Sequence, residues 1–168
     1  MEFKASLDNL SKLITSIIFI IPIVVGVILF NSYQIINADF FFSYGSIVLF
    51  FILLLTVCYM FRTQKYVVNN NELIIKRPVK ERKIQISDIQ EIRLINPGEM
   101  FGTIRTFGVG GLFGYYGLFY NRTFGSMTLY TTQRKNRVII KTKSNSKIVI
   151  SPDDLSLVDF VKSKLTIA

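Results

Sequence analysis

Residues 13–30 read LITSIIFIIPIVVGVILF and residues 40–61 read FFFSYGSIVLFFILLLTVCYMF, runs of 18 and 22 residues without a charged side chain. At a rise of about 1.5 Å per residue they make helices of roughly 27 and 33 Å, against a bilayer hydrocarbon core of about 30 Å. Buried helices of soluble proteins seldom stay uncharged for so long, so two transmembrane helices are predicted. Pro22 is tolerated in a membrane helix, where a kink is expected. The link at 31–39 is short enough for a tight antiparallel hairpin. The first run is too long for a usual signal-peptide core, and no A-x-A-like cleavage site follows it.

The flanks orient this hairpin. The link carries no Lys or Arg, whereas Lys4 and Lys12 precede the first run and Arg62 and Lys65 follow the second. Positive charge stays inside, which places both termini in the cytoplasm. Tyr33, Phe40 to Phe42, Tyr59 and Phe61 fall where interfacial aromatics are expected. Cys58, near the cytoplasmic end of the second run, reads as a small packing residue before it reads as a palmitoylation site.

The charge of the chain is +9, and it is unevenly spread. Residues 1–61 hold two Lys against three Asp or Glu, while residues 62–168 hold 18 Lys or Arg against eight. Half the residues are apolar and 23 are aromatic, which excludes a disordered chain. One cysteine and no histidine exclude a disulfide scaffold, a Cys/His metal site and a histidine-based catalytic triad. The organisation expected is a cytoplasmic segment at 1–12, the helical hairpin at 13–61 and a cytoplasmic domain at 62–168.

That domain is patterned mainly as β-structure. Short β-prone runs at 65–69 and 72–76 flank Asn69-Asn70-Asn71, which suits a hairpin turn. Further runs lie at 82–86, 89–95, 126–132, 137–142 and 147–150, the last three reading as a meander. Ser151-Pro152-Asp153-Asp154 then precedes an amphipathic helix carrying Leu155, Val158, Val161 and Leu165. Serine as cap, proline at the first helical position and aspartates at the positive end account for these residues without acid–base chemistry. About seven strands and one C-terminal helix fit a bent sheet or partly open barrel capped by that helix.

The remaining stretch, 98–125, reads GEMFGTIRTFGVGGLFGYYGLFYNRTFG and holds eight of the ten glycines. It lacks the Gly-Lys-Ser/Thr ending of a phosphate loop and has no βα unit around it. Two readings stay open. Glycines among aromatics in β-structure mark bulges and close backbone approaches covered by rings. Alternatively, a glycine-hinged loop presents Phe113, Tyr115, Tyr116 and Phe119 to lipid headgroups or to a protein. Asn121-Arg122-Thr123 fits a glycosylation pattern that is silent on a cytoplasmic face.

Arg105, Phe107-Gly108, Gly110-Gly111, Phe113-Gly114-Tyr115, Gly117, Asn121, Gly125, Tyr130 and Ser151-Pro152-Asp153 resemble a family of bacterial pleckstrin-homology (PH) domain membrane proteins. The resemblance spans roughly 63–165. It implies a PH-like fold at the bacterial cytoplasmic (inner) membrane, and it carries over no substrate and no catalytic residue. The basic Lys/Arg-x-Arg signature of phosphoinositide-binding PH domains is absent from the first hairpin, whose turn is Asn69-Asn70-Asn71.

The function expected is therefore a non-enzymatic binding or scaffolding module, with no cofactor, no metal and no nucleic-acid partner. Its basic surface is Lys76, Arg77, Lys80, Arg82 and Lys83, set to meet anionic headgroups at about 1 kcal/mol for each basic residue. The alternative is a subunit that engages another protein or a second copy of itself. Gly26 and Gly45 could allow close helix contact, although no GxxxG pair exists.

Overall fold

The computed structural model of the chain describes residues 1–31 and 38–165. The link expected at 31–39, with Tyr33, falls largely outside the described residues, as do the side chains of Phe40 and Phe41. Strand β1 (Glu2–Lys4) leads into helix α1 (Asn9–Asn31), and α2 (Ala38–Met60) follows. Nine strands come next: β2 (Lys65–Val68), β3 (Glu72–Lys76), β4 (Arg82–Gln85), β5 (Ile89–Leu94), β6 (Ile104–Gly111), β7 (Gly114–Asn121), β8 (Gly125–Thr131), β9 (Val138–Thr142) and β10 (Lys147–Ile150). Helix α3 (Ser156–Leu165) ends the described chain.

The strands form two open sheets, in orders β1-β2-β3-β4 and β5-β9-β10-β8-β7-β6, with no closed barrel. All seven strands expected from the sequence are present. The three others are β1 and the β6–β7 pair, which takes up the glycine–aromatic stretch.

Between the sheets lies the main core, with Tyr66, Leu73, Ile75, Ile92 and Ile150 buried beside Leu157, Val158 and Val161 of α3. Alternation along β9 explains how one strand serves two faces. Val138 and Ile140 point into this core, whereas Ile139 joins Tyr115, Phe119, Met127 and Leu129 on the opposite face. The buried Tyr66 hydroxyl donates to the Tyr130 carbonyl at 2.7 Å and accepts from the Ser151 amide at 3.0 Å. Burial pushes its ionisation far above the ordinary tyrosine range.

Two local expectations are corrected. Strands β8, β9 and β10 are not a meander, because β10 lies between the other two, parallel to β8 and antiparallel to β9. The link between β8 and β9 therefore passes across the end of β10, where the buried Ser151 hydroxyl accepts from the Thr132 amide at 2.9 Å. The second concerns the C-terminal helix. Its cap is Asp154, which accepts from the Ser156 amide at 2.9 Å, so Ser151 does not cap it and Pro152 is not its first residue.

Strand β1 determines how the helices meet the sheets. Phe3 pairs with Tyr66 and Lys4 with Lys65, so the chain leaves for α1 and returns from α2 beside the same sheet. Asp8 then caps α1, accepting from the Ser11 amide at 2.8 Å. Its carboxylate also accepts from the Tyr115 hydroxyl at 3.2 Å and the Arg134 amide at 3.3 Å. Burial alone would raise its pKa, but these bonds outweigh burial and hold it below the usual carboxylate range. Within the helical pair, the Tyr44 hydroxyl donates to the Pro22 carbonyl at 2.9 Å. In the most apolar windows of α1 and α2, 0% and 6% of residues are buried. Most of their side chains face outward.

Candidate apolar cleft at the foot of the helices

The glycine–aromatic stretch becomes a long antiparallel hairpin, β6 paired with β7 from Ile104↔Tyr120 to Gly111↔Gly114. Both structural devices expected of such a sequence occur in it. The register shifts between Arg105 and Phe107, a bulge. Gly108 and Gly117 face each other at φ of 115° and 120°, and a Cβ on either would stand 2.3 Å from a carbonyl oxygen of the opposite strand. Only glycine fits both places.

The hairpin tip docks on the helices. Leu112 and Phe113 are buried with Leu55 of α2, and Ile18, Phe51 and Cys58 pack around them. The Phe113 ring meets Tyr59 edge-on at 5.5 Å and Phe19 at 6.2 Å, and its amide donates to the Thr15 hydroxyl at 3.2 Å. Gly111 permits this approach, since a Cβ there would come within 2.6 Å of Ile14. One turn of the hairpin away from the tip, the Tyr116 hydroxyl donates to the Cys58 carbonyl at 2.5 Å. Burial is the main cause that pushes the Tyr116 phenol up, and the nearby Cys58 thiol adds to it.

Between this docked hairpin and the end of α2 lies a cleft of about 480 Å³. Its walls are Val57, Cys58 and Phe61 on one side and Phe107, Gly108, Val109, Tyr116 and Gly117 on the other. Arg77, Thr128 and Tyr130 also line it, and among the described residues that line it only Arg77 carries a charge. The Arg77 guanidinium lies 5.2 Å from the Tyr130 ring and 5.8 Å from the Phe61 ring. Its Nε donates to the Lys80 carbonyl at 2.6 Å, which fixes the side chain and leaves the two terminal amino groups toward other partners.

The residues singled out from the sequence separate in the structure. Of the basic five, Arg77 reaches the cleft, while Lys80, Arg82 and Lys83 are exposed on and before β4. Lys76 is ion-paired with Glu81, and Lys83 approaches Glu72 at 3.8 Å. The aromatic four are all covered by the chain itself. Phe113 and Tyr116 bury against the helices, and Tyr115 and Phe119 against the second core. The aromatics displayed outward are others, Phe101 at 89% and Phe107 at 75% exposure. Thr128 and Tyr130 were not singled out as site residues. Their i, i+2 spacing places them on one face of β8, but nothing local sets that face beside Arg77.

No metal centre is assembled, since among the described residues no three His, Cys, Asp or Glu side chains cluster to hold an ion. A family model described as "Bacterial PH domain" matches residues 64–165. No curated protein and no solved structure matches the chain.

Proposed function

The chain belongs to the bacterial PH domain family, and from that premise we propose that it is a membrane-anchored, non-catalytic binding module. PH domains are in general modules for binding lipids or proteins. Here two spans carry the domain at the cytoplasmic face of the bacterial membrane, and its basic and aromatic surfaces lie near anionic headgroups. The observation that carries this reading is the outward face of α1 and α2. A soluble protein would bury such helices, yet Ile23, Phe30 and Phe50 are exposed along with most of their neighbours. The return of the chain to one sheet through β1 and β2 supports placing the N-terminus and the domain on one side.

The test uses the full-length chain, because β1 contributes to the domain and the hairpin tip needs the helices. The protein is expected to resist extraction from membranes by alkaline carbonate, and reporters at either terminus are expected to give a cytoplasmic signal. Release into the soluble fraction, or a terminus outside the cell, would refute the reading. A second reading, a subunit that assembles with protein, is favoured by one feature. Strand β6 is an open sheet edge with Phe107 displayed on it, the kind of edge to which another strand can add. Discrete cross-linked adducts in intact membranes would favour that reading over the first.

A further inference from the structure

We propose that the cleft at the foot of α2 holds the headgroup and first methylenes of a single anionic phospholipid from the adjoining leaflet. This deepens the membrane-anchored reading and rests on it. The warrant is the distribution of polar groups on an otherwise apolar wall. Among the described residues, neither the terminal amino groups of Arg77 nor the hydroxyls of Thr128 and Tyr130 make a hydrogen bond, and all three side chains line the same cleft. One guanidinium and two hydroxyls present donors and no negative charge. That set complements a phosphate, which a guanidinium fork grips through paired charge-assisted bonds.

The apolar remainder completes an amphiphile's site. Val57 and Phe61 face Phe107 and Val109 across the cleft, and Val57 is continuous with the outward apolar surface of α2. A cleft of about 480 Å³ seats part of a lipid. The rest of each acyl chain then lies along α2 among bulk lipid, which is why a membrane lipid fits this position better than a soluble anion. The Tyr130 and Phe61 rings lie close to the guanidinium and partly displace water from it, which strengthens an ionic contact. The site differs from a headgroup pocket built on the first β-hairpin alone, since its apolar walls come from α2 and the β6–β7 hairpin and its hydroxyls from β8, with only Arg77 supplied from just past the end of β3.

The test is photo-crosslinking of the full-length chain in phosphatidylcholine nanodiscs. These are doped either with phosphatidylglycerol bearing a diazirine on its upper acyl chain or with phosphatidylcholine bearing the same group. The proposal expects phosphatidylglycerol to label peptides containing 57–61 and 107–109 about tenfold more than phosphatidylcholine does. Arg77→Gln should remove that excess. The near-isosteric pair Thr128→Val with Tyr130→Phe should lower it about threefold, and this variant stands independently of any folding defect in the first.

Equal cleft labelling by the two lipids, or an excess unchanged in both variants, overturns the proposal. So does a cleft that neither lipid labels while residues 17–28 are labelled, including the case where a co-purifying protein covers it. If neither lipid labels 17–28, the chain is not in the bilayer, and the reading beneath the proposal fails with it.

Discussion

Strands β6 and β7 run side by side in one hairpin and both come from the glycine–aromatic stretch, yet their fates are opposite. β7 is mostly buried, with Tyr115, Tyr116 and Phe119 covered, while β6 is exposed from Ile104 to Gly108. The cause is position in the sheet. β7 has a strand on each side, and its alternate side chains reach the second core and the end of α2. β6 is the edge, and its one ring, Phe107, has the cleft and open space before it. One glycine–aromatic stretch thus yields a structural wedge on one strand and a displayed surface on the other.

The largest effect that would break this comparison is at the facing glycines. Gly117→Ala forces a methyl against the Phe107 carbonyl at a backbone angle that side chains rarely adopt, and a loss of about 3 kcal/mol or more is expected. Gly98→Ala has open space around its Cβ and should shift stability by less than about 0.5 kcal/mol. Thermal unfolding of the two variants in detergent measures both.

A slightly smaller contrast sets the docked tip against the edge. Phe113→Ala removes a ring packed on Phe19 and Tyr59, and a loss of about 3 kcal/mol is expected. Phe107→Ala, on the exposed strand, should leave the melting temperature nearly unchanged. Equal losses would mean that β6 is covered in the folded protein. Tyr116→Phe, which gives up the bond to the Cys58 carbonyl, should cost about 1 kcal/mol, whereas Tyr120→Phe should be silent by the same measurement.

The smallest effect concerns the base of the hairpin. The Arg93 guanidinium at 2.7 Å, followed by the Asn96 amide, holds the Glu99 carboxyl at about 2, well below its ordinary 4.5. A depressed carboxylate stabilises the fold above its unfolded pKa and loses that contribution as pH falls. Stability should therefore decline between about pH 4.5 and 2 in part through Glu99, and Glu99→Gln should flatten that part of the acid profile. The slope is modest because solvent screens the pair.

Much of the fold was legible locally. Uninterrupted apolar runs gave α1 and α2, and period-two patterning gave seven strands, because both signals reside in neighbouring residues. Strand β1 was not legible, since three residues of EFK carry no pattern until β2 lies beside them. The meander failed for a related reason: turn-like residues at 133–136 are compatible with a hairpin and with a crossover alike. In the site, Arg77 was found from its charge, but Thr128 and Tyr130 were not, because their neighbour Arg77 is about fifty residues away in sequence.

The sequence alone determined that this chain has two apolar helices, a basic β-rich domain and glycines gathered in one aromatic stretch. Those properties follow from side-chain chemistry and spacing along the chain. Only the tertiary structure decided that Phe113 and Tyr116 lock the hairpin to the helices rather than face outward. It also decided that Arg77 shares a cleft with Thr128 and Tyr130. Burial and proximity are relations between distant residues, fixed when the sheet order makes β6 an edge and brings β7 and β8 to the end of α2.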